Sequence, residues 1–173
     1  RYILQRISSL AFPDTPGLQE NISAVTEHLR KKNPDPRGTL HLVPTVDGKT
    51  WYHLGPNSDW RVFDYIEHSI CLEAPRCAED FYQSALAFGG FQQALSDFPA
   101  QTLHETIRDF HNTPVRFRQF KDAVARDPLG RAAGVREEID FALAHEDLGG
   151  ALVEKLAQGI LPLRVTHNDT KLN

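Results

Sequence analysis

The chain has 173 residues, of which 40% are hydrophobic and 24% charged, with a formal net charge of −4. Those values fit an ordinary globular protein of one domain or two small lobes. With Arg30-Lys31-Lys32 as the one basic cluster, they argue against nucleic acid or a membrane surface as the main partner. No apolar run is long enough to span a bilayer and no signal-peptide pattern is present. Cys71 and Cys77 do not make a disulfide framework and lack zinc-ribbon spacing, so a reducing cytoplasm is the expected compartment. Methionine is absent, and the chain opens inside a strand pattern and closes inside a motif. The expectation is a piece of a longer protein.

Tyr2-Ile-Leu-Gln-Arg-Ile7 is roughly alternating and rich in β-formers, which predicts a strand. If Ile3 and Ile7 face a core, Gln5 shares their face, while Arg6 sits opposite with Tyr2 and Leu4. Arg6 is then either a solvent-facing edge residue or a guanidinium aimed at phosphate. Phe12-Pro-Asp-Thr-Pro-Gly17 is a breaker, and Asp14 or Thr15 caps the helix after it. Leu18, Ile22, Val25 and Leu29 make one apolar stripe along that helix, which runs to about Lys32 with Glu20 and Glu27 off the stripe. Three short β segments follow at 39–43, 49–54 and 60–66, and Asp47-Gly48 marks a hairpin turn between the first two.

Beyond Ile66 the pattern is helical. Helices are expected over 75–95, 113–127, 131–147 and 151–158, the second with Thr113 as cap and Pro114 in its first turn. Gly89-Gly90 inside the first predicts a kink or a close backbone approach. Residues 160–165 read as a final strand. The expected fold class is α+β, with an N-terminal lobe over 1–66 and a helical lobe over 67–173. Junctions of this kind favour ligand sites.

The last stretch, Val165-Thr-His-Asn-Asp-Thr-Lys-Leu-Asn173, carries the chemistry. Asp169, in a loop after a strand, can accept a proton from a substrate hydroxyl or orient it for attack. Lys171 would bring positive charge to transferring phosphate oxygens, where catalysis is mainly positioning and charge balance. A loop histidine such as His167 holds the backbone by hydrogen bonds and need not touch substrate. The same residues are also compatible with a capped surface turn.

The run His167-Asn-Asp-Thr-Lys-Leu-Asn173 resembles the catalytic loop of the protein-kinase-like superfamily. More closely it is similar to the small-molecule branch containing aminoglycoside phosphotransferases, choline kinases and N-acetylhexosamine kinases. Tyr2-Ile-Leu-Gln-Arg-Ile7, Phe12-Pro13, Trp60-Arg61, Phe88-Gly89, Phe110-His-Asn-Thr113 and the run from Leu161 resemble the N-acetylhexosamine 1-kinase group. The resemblance implies a two-lobed kinase-like fold and transfer of phosphate from ATP, with Mg2+, to a hydroxyl of a small sugar. It implies Asp169 as catalytic base, His167 as structural histidine and Lys171 as a γ-phosphate contact. Arg6, or alternatively Gln5, would stand where the family's strand lysine holds the α- and β-phosphates. Glu20 or Glu27 would be its helix partner, and Asp64, Tyr65 and Ile66 the hinge that holds adenine through its backbone. Phe110-His-Asn-Thr113 is either a sugar contact or a plain helical connection.

The chain departs from the family pattern at several points. It shows no glycine-rich phosphate loop, and the magnesium-binding Asn would fall just after Asn173, so metal ligands are expected outside it and the chain by itself is expected to be inactive. Kinases for other small alcohols (an aminoglycoside, choline, homoserine) and a non-catalytic kinase-like binding protein fit the same residues. His-x-Asp also occurs in the metal triad of non-heme iron oxygenases, but that fold is a β-barrel and no histidine follows the motif here.

Overall fold

The computed structural model describes residues 1–170 and is mixed α+β. Lys171, Leu172 and Asn173 lie outside the described residues. The chain divides into two units, Arg1–Thr106 with the segment from Arg164, and Ile107–Leu163.

Helix α1 (Thr15–Lys32) organises the first unit. Asp14 caps it, its carboxylate accepting from Gly17 N at 3.0 Å, and basic residues fill the last turn where the helix dipole favours them. A Cβ on Gly17 would lie 2.2 Å from Asp14 Oδ2 and 3.1 Å from His104 Cβ. Gly17→Ala must therefore dislodge the cap, and an expected loss of about 1–3 kcal/mol is measurable by urea unfolding. A more stable variant would contradict this account of the turn.

One side of α1 meets a sheet. Strands β1 (Tyr2–Ile7), β2 (Tyr52–His53) and β3 (Asp59–Asp64) pair antiparallel in the order β1-β3-β2 among the described residues. The register pairs Ile3 with Phe63, Gln5 with Arg61 and Ile7 with Asp59, and these share the face toward α1. Thr15 donates to Asp59 at 2.6 Å, and the fully buried Gln19 amide donates to Thr50 O at 3.1 Å. Leu4, Arg6, Trp60 and Val62 occupy the opposite face. Ile7, Leu42 and Phe63 are buried. Burial opposes the charge of Asp59, yet Thr15 and His53 donate to it and hold its carboxyl below the usual range.

The β segment expected at 39–43 supplies only a bridge, Leu42 to Phe63, with Val43 N donating to Val62 O. The turn at Asp47-Gly48 does form. Gly48 has φ +81°, and Thr45 N bonds Lys49 O at 2.8 Å. Its flanks do not zip together because both lie along β3 instead.

The other side of α1 meets α2 (Ala78–Ala94) and the segment after it. Lys32 donates to Ala94 O at 2.6 Å and pairs with Asp97, and His28 Nε2 lies 3.0 Å from Asp97. Asn21 exchanges two 2.8 Å bonds with the backbone of His104. Gly89-Gly90 does not interrupt α2, and a Cβ on either would meet open space, so no close backbone approach is present there. Residues 160–165 are not a strand, because nothing among the described residues offers them a ladder.

Bonds from Lys32 and, secondarily, His28 hold the Asp97 carboxyl down to about 2, and Arg76 does the same for Asp80. A depressed folded pKa contributes stability that is present above the unfolded value near 3.9 and is lost as pH falls toward about 2. Stability should therefore drop between about pH 5 and pH 2. The drop should be shallower in an Asp80→Asn, Asp97→Asn double variant, compared by urea titration. Identical slopes would contradict the assignment.

The second unit holds α3 (Thr113–Arg126), α4 (Arg136–Ala144) and α5 (Ala151–Ala157). Asn112, not Thr113, caps α3 by accepting from Val115 N, while Pro114 takes its place in the first turn. The single helix expected over 131–147 is α4 flanked by two tight 3-10 turns, Ala132–Val135 and Glu146–Gly150. Val135 has a non-helical backbone, φ −132° and ψ 35°, which separates α4 from the first turn. Ile139 is the buried residue of α4, and Lys121 reaches from α3 to Glu146 at 2.6 Å.

Candidate functional site

The terminal loop docks on α2 through its histidine. The His167 ring stands edge-on to Phe88 at 5.3 Å and Phe91 at 5.9 Å between centroids. These two aromatics lie one turn apart on α2, the spacing at which helix side chains share a face. Asp169 N donates to His167 Nδ1 at 3.3 Å, and Thr166 donates to Asn168 across the same turn. Arg164 fixes the start of the loop by donating to Ser96 O at 2.5 Å. An imidazole seated on two phenyl rings thus accepts the amide of the residue whose carboxylate is the candidate base. Asp169 itself is exposed. Lys171, the third residue expected here, lies outside the described residues.

The large apolar side chains of α2 and Leu95 just after it are covered mainly toward the C-terminal end of the helix. Phe88 and Phe91 lie against the loop histidine and Leu95 is 1% exposed, whereas Phe81 remains 59% exposed.

On β1 the two phosphate candidates part company. Gln5 faces α1, and its Oε1 accepts from Arg61 Nε at 2.8 Å. Arg6 faces away from α1, opposite Trp60. The helix glutamates pair with neither: Glu20 accepts from His104 Nε2 at 2.7 Å, and Glu27 is exposed. Arg61 and Gln19 join Gln5 in one cluster, with Arg61 Nη1 donating to Gln19 Oε1 at 3.3 Å. Sequence reasoning missed both. The signal for Arg61 was its two-residue spacing from Phe63, which fixes its face.

Asp64, Tyr65 and Ile66 line a polar depression of about 460 Å³ with Arg30, Arg37 and His41. His41 Nδ1 lies 2.5 Å from Asp64 Oδ2, which pins the end of β3. The amides of Asp64 and Tyr65 are already engaged, donating to His41 O at 3.0 Å and Arg1 O at 3.1 Å. Among the described residues, the Ile66 amide meets no backbone acceptor, while its carbonyl accepts from Ser69.

Phe110-His-Asn-Thr113 lies in the second unit, where His111 and Thr113 border a depression of about 420 Å³ with Phe117, Phe141 and His145. Among the described residues no group of three or more His, Cys, Asp or Glu side chains converges in a way that would hold a metal ion. Mg2+ is commonly held by one or two carboxylates together with substrate phosphates, so what the described residues lack is a protein-only cage, and no chemical step is routed through the ion. Cys71 and Cys77 are free and exposed. Among the described residues no helix is long and apolar enough to cross a membrane. No family model matches the chain.

Proposed function

We propose that this chain belongs to a cytoplasmic kinase-like enzyme that transfers the γ-phosphate of ATP to a hydroxyl of a small sugar, an N-acetylhexosamine in the narrower form. The observation that carries the reading is the His167–Asp169 turn. Its histidine is seated on Phe88 and Phe91 and accepts the Asp169 amide, so the carboxylate is held at the surface by groups that need not touch substrate. A second support is the order of parts, a strand and helix with a small sheet, then an Asp64–Ile66 segment bordering a depression, then helices, then the loop.

In this reading Asp169 takes or orients the acceptor hydroxyl proton and His167 positions it. Lys171 keeps the role implied by resemblance. Of the hinge, the Ile66 amide is the donor left to an adenine edge. Gln5, which faces α1, is taken as the β1 residue on the phosphate side, with Arg6 on the opposite face of the sheet. Mg2+ is expected from the resemblance alone. The iron-oxygenase alternative has no barrel among the described residues to stand on, since their sheet has three strands.

The test is a coupled ADP-release screen of the intact protein against N-acetylhexosamines, choline, homoserine and aminoglycosides. Release with the amino sugars supports the narrow form. Release with another alcohol removes the narrow form and keeps the broad one, and silence with all of them removes both.

A further inference from the structure

Arg61 is a half-buried cation whose protein partners are neutral. A guanidinium carries five N–H donors. Two of them are engaged, Nε by Gln5 Oε1 at 2.8 Å and Nη1 by Gln19 Oε1 at 3.3 Å. Its Cζ lies 5.0 Å from the centroid of the Phe63 ring. Among the described residues no carboxylate comes within ion-pair reach of it. Burial pushes its pKa down, yet a guanidinium stays charged at neutral pH.

Gln19 cannot rotate to serve another purpose. It is 1% exposed, and its amide nitrogen is committed to Thr50 O at 3.1 Å, which directs its oxygen at Arg61. The guanidinium is thus oriented by two amide oxygens and an aromatic face, with three donors not taken up by these partners. Gln5, on its outer side, is exposed, so the cluster is open to solvent there. A charge placed partly out of water without a counter-charge is costly, and an anion in that position would remove the cost. A planar fork of donors matches the oxygens of a phosphate group.

We infer that Arg61, braced by Gln5 and Gln19, is the phosphate-binding cation of this protein and takes the anionic oxygens of a nucleoside triphosphate. The inference rests on the kinase reading and sharpens it: the charge missing from β1 is supplied by the neighbouring strand β3. Arg6, on the other face of the sheet, is not that cation.

The experiment is calorimetric titration of the intact protein with ATP and with adenosine. Arg61→Gln should weaken ATP by on the order of tenfold or more, the scale of a lost charge-assisted hydrogen bond, and should leave adenosine within about twofold. Arg61→Lys should recover part of the loss. Unchanged ATP affinity, equal weakening of ATP and adenosine, or an equal or larger ATP loss in Arg6→Gln would each overturn the assignment. Equal weakening would mean that Arg61 only braces the sheet against α1. Should Arg61→Gln fail to fold, guanidinium nitrogen spectra of the unaltered protein decide. The Arg61 Nε–H signal moves with ATP and not with adenosine if the inference holds, and stays still if it does not. The kinase reading fails separately: ATP bound through Arg61 with no ADP released to any acceptor leaves the phosphate site standing.

Discussion

Asp169→Asn in the intact protein should lose turnover by a factor on the order of 10² to 10⁴, the range supplied by a positioned general base, while ATP affinity stays within a few-fold. The side chains are nearly isosteric, and the hydrogen bond that ties this turn together uses the Asp169 backbone amide, not its carboxylate. The substitution therefore leaves that bond and the Phe88–His167–Phe91 contact in place while removing the proton acceptor. Steady-state ADP release and a parallel binding titration separate the two effects. Turnover near the unaltered level would remove Asp169 from the catalytic role, and parallel loss of ATP binding would make its role structural.

Leu95→Ala should be the most destabilising of the substitutions considered, at about 2–5 kcal/mol in urea unfolding. Leu95 is 1% exposed and, among the described residues, is one of the largest fully buried side chains. It follows α2 directly, between Phe91, which touches His167, and Asp97, which Lys32 and His28 hold. A cavity there loosens the junction from which α2 meets both α1 and the terminal loop. Turnover should fall with it through misplacement of Asp169. Val46→Ala, at a fully exposed turn position, should stay within about 0.5 kcal/mol. A Leu95 variant as mild as that would show that the junction is not the core of the first unit.

Several of these features were legible in the residues. Alternation in Tyr2–Ile7 placed Gln5 with Ile3 and Ile7 and set Arg6 opposite, as the strand register has it. Asp14 was one of two candidates for the cap of α1 and is the one used. The features that escaped depend on partners distant in sequence. Gln19 is a polar residue that the Leu18–Leu29 stripe does not mark as core, yet it is buried, with Thr50 O and Arg61 satisfying both ends of its amide. Residues 160–165 have strand composition, but a strand exists only where a neighbour offers a ladder. The segments 39–43 and 49–54 carried a hairpin turn between them, and β3 competed for both. The terminal motif identified His167 and Asp169 as a pair, whereas the seat that Phe88 and Phe91 make for the ring could be seen only once α2 was in place.

The measurement closest to the central claim is detection of the phosphorylated acceptor itself, by phosphorus NMR or mass spectrometry, after the intact protein is incubated with Mg-ATP and an N-acetylhexosamine. The account predicts a sugar phosphate formed in equal amount to ADP, with both reduced on the order of 10²-fold or more in Asp169→Asn. ADP accumulating with no phosphorylated sugar, or a sugar phosphate formed equally well by the Asp169→Asn variant, would contradict it.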